Sequence, residues 1–146
     1  MPKPCILFDI DGTLADTRHR KGFLTTTPKN WLAFFNAAWN DTPIESVVSL
    51  YRDLFKTETI IIDSARPEAY RRLTLDWFDR YEIPYGTLLM RPEGDKRDDY
   101  LVKRDFLTKV QLMGFTPRFV IDDKPSVVQM FRINGITCFQ PNDGSF

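Results

Sequence analysis

Short apolar runs alternate with amphipathic stretches along the chain. Cys5-Ile6-Leu7-Phe8 is uninterrupted and apolar, the pattern of a strand covered on both faces. Thr59–Ile62, Thr87–Met90, Phe119–Ile121 and Ile136–Phe139 read as four more strands of this kind. Between them the apolar period lengthens to that of a helix. Ile44, Val47, Val48, Tyr51, Leu54 and Phe55 share one face of a helix that Pro43 is expected to open. Tyr70, Leu73, Trp77 and Tyr81 do the same after Pro67. Thr27-Pro28 predicts a helix start, with Thr as N-cap and Pro at the first helical position. The stripe Trp31, Phe35, Trp39 that follows could offer flat aromatic surface for stacking on bases but is expected to be core. A helix from about Asp98 to Met113 should stop at Gly114, and one from Pro125 to Asn134 at Gly135. Strands buried on both faces and separated by helices require right-handed crossovers. The expectation is an α/β chain: a three-layer sandwich around a mostly parallel five-stranded sheet.

At 146 residues, without internal repeat or low-complexity tract, the chain is expected to form one domain over residues 1–146. Residues 16–57 would be a helical insert, a minimal cap at most. The 20 basic and 20 acidic residues cancel, which argues against a uniformly basic nucleic-acid binder but leaves room for a local basic cleft. Hydrophobic residues at 42% are ample for a packed interior. Cys5 and Cys138 lie in apolar stretches and read as buried thiols. No segment has the length of a signal peptide core or a membrane span, so a cytoplasmic protein is expected.

The acids fall at particular places on this map. The first strand ends in Asp9-Ile10-Asp11, the second in Asp63-Ser64 and the fourth in Asp122-Asp123. Ligands of open α/β sheets bind beyond the carboxyl ends of the strands, so the three clusters should meet on one edge. Carboxylates crowded in this way repel and call for a cation. Oxygen donors without His or Cys favour Mg²⁺ over zinc. A carboxylate beside such a cation can attack phosphorus, and a second one two residues on can move the proton of the leaving oxygen. Gly12 permits the sharp turn between them. Ser64 offers a hydroxyl and Lys103 an ammonium for phosphoryl oxygens.

This order of motifs resembles the haloacid dehalogenase-like (HAD) phosphatase superfamily, whose signature is DxDGT, Ser/Thr after the second strand, Lys, and paired acids after the fourth. Here these are Asp9-Ile10-Asp11-Gly12-Thr13, Ser64, Lys103 and Asp122-Asp123. The resemblance implies a HAD-like, Rossmann-like fold with a small or absent cap. Asp9 would be the nucleophile and Asp11 the general acid/base. Ser64 and Lys103 would hold the phosphate. Mg²⁺ would sit on the Asp9 carboxylate, the Asp11 carbonyl and Asp123, with Asp122 in support.

Ser64-Ala65-Arg66, the loop Gly94–Asp99 and Ile121-Asp122-Asp123-Lys124 are similar, more narrowly, to the 3′-phosphatase domain of phage-type polynucleotide kinase-phosphatase. That likeness implies Arg20 and Arg66 near the substrate phosphate and Asp99 orienting Lys103 or its neighbours. Asp98 stands where that family's loop is basic, and Lys124 where it has Arg. No Gly-x-x-x-x-Gly-Lys-Ser/Thr occurs, so a kinase half is not expected within these residues. The implied substrate is a 3′-phosphate on a DNA or RNA end, with a separate kinase or ligase as a conceivable partner. A 5′(3′)-nucleotidase is the enzymatic alternative, since some of these share Ile-Asp-Asp-Arg-Pro, close to Ile121–Pro125. A binding module without turnover is the non-enzymatic one. In the basic group Arg18, Arg20, Lys21, the first and last would suit a nucleic-acid backbone or a solvated loop equally, while the likeness favours a functional role for Arg20. His19 is expected to be an exposed loop residue.

Overall fold

The computed structural model describes all residues from Met1 to Phe146. The five expected strands form one sheet: β1 (Lys3–Phe8), β4 (Ile60–Pro67), β5 (Thr87–Arg91), β6 (Phe115–Ile121) and β7 (Cys138–Phe139). Their order is β5-β4-β1-β6-β7, and every pairing is parallel. Alternation along β1 divides the interior. Ile6 and Phe8 face one layer, where α2 (Glu45–Phe55) brings Val47, Val48 and Tyr51, and α3 (Arg71–Arg80) brings Trp77 and Phe78. Cys5 and Leu7 face the other, against Val102, Phe106 and Val110 of α4 (Asp99–Leu112) and Val127, Val128 and Phe131 of α5 (Pro125–Ile133). The result is the three-layer α/β arrangement. Both cysteines are free and buried, and burial, with a contribution from Asp63, pushes the Cys5 thiol up to about 11.

Several boundaries differ from expectation. The helix expected at Thr27-Pro28 begins later, as the six-residue α1 (Trp31–Asn36), and its N-cap is Asn30, whose side chain accepts from the Ala33 amide at 3.1 Å. Pro43 opens no helix. With Thr42 it forms β3, which pairs antiparallel with β2 (Ala15–Asp16), and α2 starts at Glu45. Pro67 ends β4 rather than starting a helix; a short 3₁₀ turn precedes α3. Missing amide hydrogens are tolerated at such strand ends, so Pro gives no unique signal there. The fourth expected strand extends back to Phe115, and the fifth shrinks to two residues.

The expected aromatic core stripe is also corrected. Phe35 is half-buried against Tyr70, but Trp31 is 49% exposed and Trp39 39%. A helix as short as α1 cannot hold both tryptophans on one buried face.

Candidate active site

The register fixes the site. Phe8 lies beside Ile121, so β1 and β6 end level and the Asp9 amide donates to the Ile121 carbonyl at 3.0 Å. Asp9 therefore follows one strand exactly where Asp122 and Asp123 follow its neighbour. Beyond Asp9 the chain turns tightly, the Gly12 amide donating to Ala15 and the Leu14 and Ala15 amides to Ile10. Gly12 has φ +78°, and a Cβ there would lie 2.1 Å from Asp123 Oδ2. Only glycine lets the turn after Asp9 come this close to the Asp122-Asp123 loop.

Carboxylate oxygens of Asp9, Asp122 and Asp123 lie within 4.8 Å of one another, and all three residues are buried. Thr13 Oγ1 ties two of them together, donating to Asp9 Oδ2 (2.9 Å) with Asp123 Oδ1 at 3.3 Å. Lys103, carried on α4, donates from Nζ to Asp9 Oδ1 at 2.7 Å and Asp122 Oδ2 at 2.5 Å. Burial opposes the Lys103 charge, but Asp122, Asp9 and Asp63 outweigh it and hold the ammonium well above its ordinary value. One ammonium does not balance three acids. Burial first and the charge of Asp9 second push Asp122 and Asp123 above the carboxylate range. The donor set is hard oxygen throughout, and its excess negative charge fits a divalent cation.

Asp11 occupies a different environment. Its Oδ1 accepts from Arg66 Nη2 at 2.6 Å, Arg66 Nε at 3.1 Å and Arg20 Nη2 at 2.8 Å. Burial works against its charge, yet Arg66 and Arg20 prevail and hold the carboxyl well below its usual range. Its Oδ2 makes no hydrogen bond within the protein, and 31% of the side chain is exposed. One oxygen is thus anchored and the other presented.

Arg20 and Arg66 are themselves fully buried. Their second shared partner is Asp41, which accepts from Arg20 Nε (2.8 Å), Arg20 Nη2 (2.8 Å) and Arg66 Nη2 (3.2 Å). His19 is exposed, as expected, but its Nε2 lies 2.7 Å from the same carboxylate, which ties the sole histidine to the network. The two arginines expected near a substrate phosphate are both paired with Asp11 and Asp41, and their Nη1 atoms donate to the Phe34 carbonyl (3.4 Å, from Arg20) and to Thr74 Oγ1 (3.1 Å, from Arg66). Sequence reasoning missed Asp41, which sits beside the two-residue β3 where no periodicity marks it. Its best signal is composition: no other acid occurs between Asp16 and Glu45.

The remaining expected residues are dispersed around this centre. Ser64 is buried, and its Oγ accepts from the Arg66 amide at 3.1 Å. Asp99 accepts from Arg91 at 2.6 Å and from Lys124 at 2.7 Å, with no hydrogen bond to Lys103. Asp63 is fully buried within β4, and neither carboxylate oxygen has a hydrogen-bond partner. Burial raises it well above the carboxylate range, and it is outside the triad of close carboxylates.

Residues 3–146 match the family model described as polynucleotide kinase PNKP phosphatase domain. A baculovirus protein from Autographa californica nuclear polyhedrosis virus, named as a candidate bifunctional polynucleotide kinase/RNA ligase, is 28% identical over 130 residues, covering 87% of this chain and 17% of the viral one. A chain of the Pnkp1/Rnl/Hen1 RNA repair complex superposes with a TM-score of 0.81 at 28% identity, covering 99% of this chain and 44% of that one. The chain thus spans less than half the length of these two relatives. A haloacid dehalogenase-like hydrolase from Streptococcus pneumoniae shares the fold, with a TM-score of 0.67 at 14% identity over 94% of this chain and 84% of that one. The match over nearly every residue, with the acids gathered at the strand ends, makes this chain a member of the PNKP phosphatase-domain family and a HAD phosphatase.

Proposed function

We propose that the protein removes the 3′-phosphate from a DNA or RNA end, through a phosphoryl group carried transiently on Asp9. The observation that carries this reading is the separation of two carboxylates two residues apart: Asp9 beside the acid triad and Lys103, Asp11 on a pair of arginines with Oδ2 open. Asp9, Asp122 and Asp123 would hold Mg²⁺, with the Asp11 carbonyl as a further donor. When bound, the ion supplies positive charge to the phosphoryl oxygens and lowers the repulsion between nucleophile and substrate.

In the first half-reaction an Asp9 carboxylate oxygen bonds to phosphorus, and the bond from phosphorus to the 3′-oxygen breaks. Asp11 Oδ2 delivers the proton that the leaving oxygen takes up. The doubly anchored Asp11 is ionised at rest, so it takes that proton from solvent water as the negative phosphoryl group arrives beside it and raises its proton affinity. In the second half-reaction Asp11 takes a proton from water, the water oxygen bonds to phosphorus, and the Asp9–phosphorus bond breaks. Lys103 neutralises charge at Asp9 throughout, and Asp41 keeps both guanidinium groups aimed at Asp11 Oδ1.

The test is a comparison of kcat/KM in Mg²⁺ for a 3′-phosphorylated oligonucleotide, its 5′-phosphorylated isomer and nucleoside monophosphates. Preference for the first is expected. Preference for mononucleotides would replace this reading with that of a nucleotidase. A kinase or ligase working alongside is consistent with the relatives' names and belongs to the same proposal.

A further inference from the structure

Between Asp16 and Asp41 the chain carries Arg18, Arg20, Lys21 and Lys29; Arg18 pairs with Asp16 at 2.6 Å and the buried Arg20 with Asp41 at 2.8 Å, which leaves the Lys21 and Lys29 ammonium groups without an acidic partner. This cationic segment also exposes aromatic surface: Trp31 at 49%, Phe23 at 38% and, next to Trp31, Leu32 at 66%. Trp31 stands on a rigid footing. Its indole stacks on Phe35 at 5.8 Å with 21° between the planes and meets the edge of Phe34 at 5.9 Å. The Lys29 ammonium lies 5.7 Å from the indole centroid.

Phe34 connects this platform to the chemistry. The Arg20 guanidinium lies over the Phe34 ring at 4.3 Å, and the same guanidinium donates to Asp11 Oδ1 at 2.8 Å. One ring and one guanidinium therefore separate the exposed indole from the carboxylate that handles the leaving oxygen. That is a reach of one or two nucleotides. Large apolar surface beside lysine and arginine is the composition that binds single-stranded nucleic acid, because every base offers a π-face and every linkage a negative charge.

We propose that Trp31, with Lys29 beside it, is the stacking platform for a base of the single strand that leads to the reacting 3′-phosphate. This rests on the polynucleotide reading above and names the residue that would favour a polymer over a small ester. Trp31 touches substrate in this proposal but takes no part in bond making.

The experiment measures kcat/KM for a single-stranded 3′-phosphorylated oligonucleotide, in DNA and RNA forms, and for p-nitrophenyl phosphate. The ratio of polymer to small ester should fall about ten-fold in Trp31→Ala and be largely restored in Trp31→Phe. The loss should appear mainly in KM. Binding of the oligonucleotide to Asp9→Asn should quench indole fluorescence, and Asp9→Asn/Trp31→Phe should lose that quench. An unchanged ratio in Trp31→Ala overturns the proposal, as does an equal loss on both substrates, which marks a structural role. A change confined to association state overturns it in favour of a protein contact. Failure of the polynucleotide reading is distinguishable, since the unmodified enzyme would then turn over the small ester and not the oligonucleotide.

Discussion

Two acidic nests lie side by side at the carboxyl edge of the sheet, and they differ in counter-charge. The Asp9, Asp122, Asp123 nest sets three carboxylates against the single ammonium of Lys103. The Asp11, Asp41 nest sets two carboxylates against Arg20 and Arg66. In the first, burial and mutual repulsion raise Asp122 and Asp123; in the second, the arginines pull Asp11 down. Chemically similar side chains are thereby divided into a set with excess negative charge, which fits a cation, and a set neutralised by two guanidinium groups. The amino-acid type is the same; the balance of neighbours assigns the role.

The largest expected effect removes the proposed nucleophile of the first nest. Asp9→Asn should retain less than about 1% of wild-type turnover while keeping the far-ultraviolet dichroism of the native protein; more than that would rule out covalent catalysis at this position. Next is the second nest's anchor. Asp41→Ala leaves two buried guanidinium groups with Asp11 as their one shared carboxylate and should cost about 3–5 kcal/mol in urea unfolding. A cost below about 1 kcal/mol would mean that the arginines do not depend on it.

The counter-charge contrast itself can be tested by pH. Asp122 and Asp123 have raised folded-state affinities for protons in the metal-free protein. Their stabilisation is present in acid and lost as pH rises through that elevated range. A bound cation replaces those protons, so the Tm gain from Mg²⁺ should be larger at pH 8 than at pH 5, by about 3 °C or more. An equal gain at both would dissociate the triad from metal binding. Asp11 has the opposite sign: its stabilisation is present above the ordinary carboxylate range and lost as pH falls. Arg66→Ala should move the acid limb of kcat upward by about one unit, and an unmoved limb would detach that arginine from Asp11. The smallest effect is expected far from both nests. The exposed Lys56–Asp53 pair should contribute less than about 0.5 kcal/mol, measured as the urea midpoint of Lys56→Ala.

The sheet was legible because its strands are contiguous apolar runs whose side chains meet two layers. Cys5–Phe8 announces burial on both faces, and the acids that follow such runs could be assigned to one edge before any contact was known. The insert was not legible to the same degree. β2 and β3 have two residues each and are held by backbone pairing, which carries no side-chain period. Asp41 gains its role only when Arg20 and Arg66, 46 residues apart in the chain, converge on it. Asp63 shows the reverse failure. It follows an apolar run as the other acids do, but β4 continues past it to Pro67, and the side chain stays inside the sheet.

Position 12 couples shape to reactivity through the absence of one carbon. A methyl group there would meet a carboxylate of the triad, not a neighbour free to repack. Moving Asp123 aside would relieve the overlap only by withdrawing an oxygen from the proposed ion site. On that reading, backbone curvature and cation affinity cannot be tuned separately at this turn, and an alteration that the scaffold tolerated would still weaken the hold on the ion.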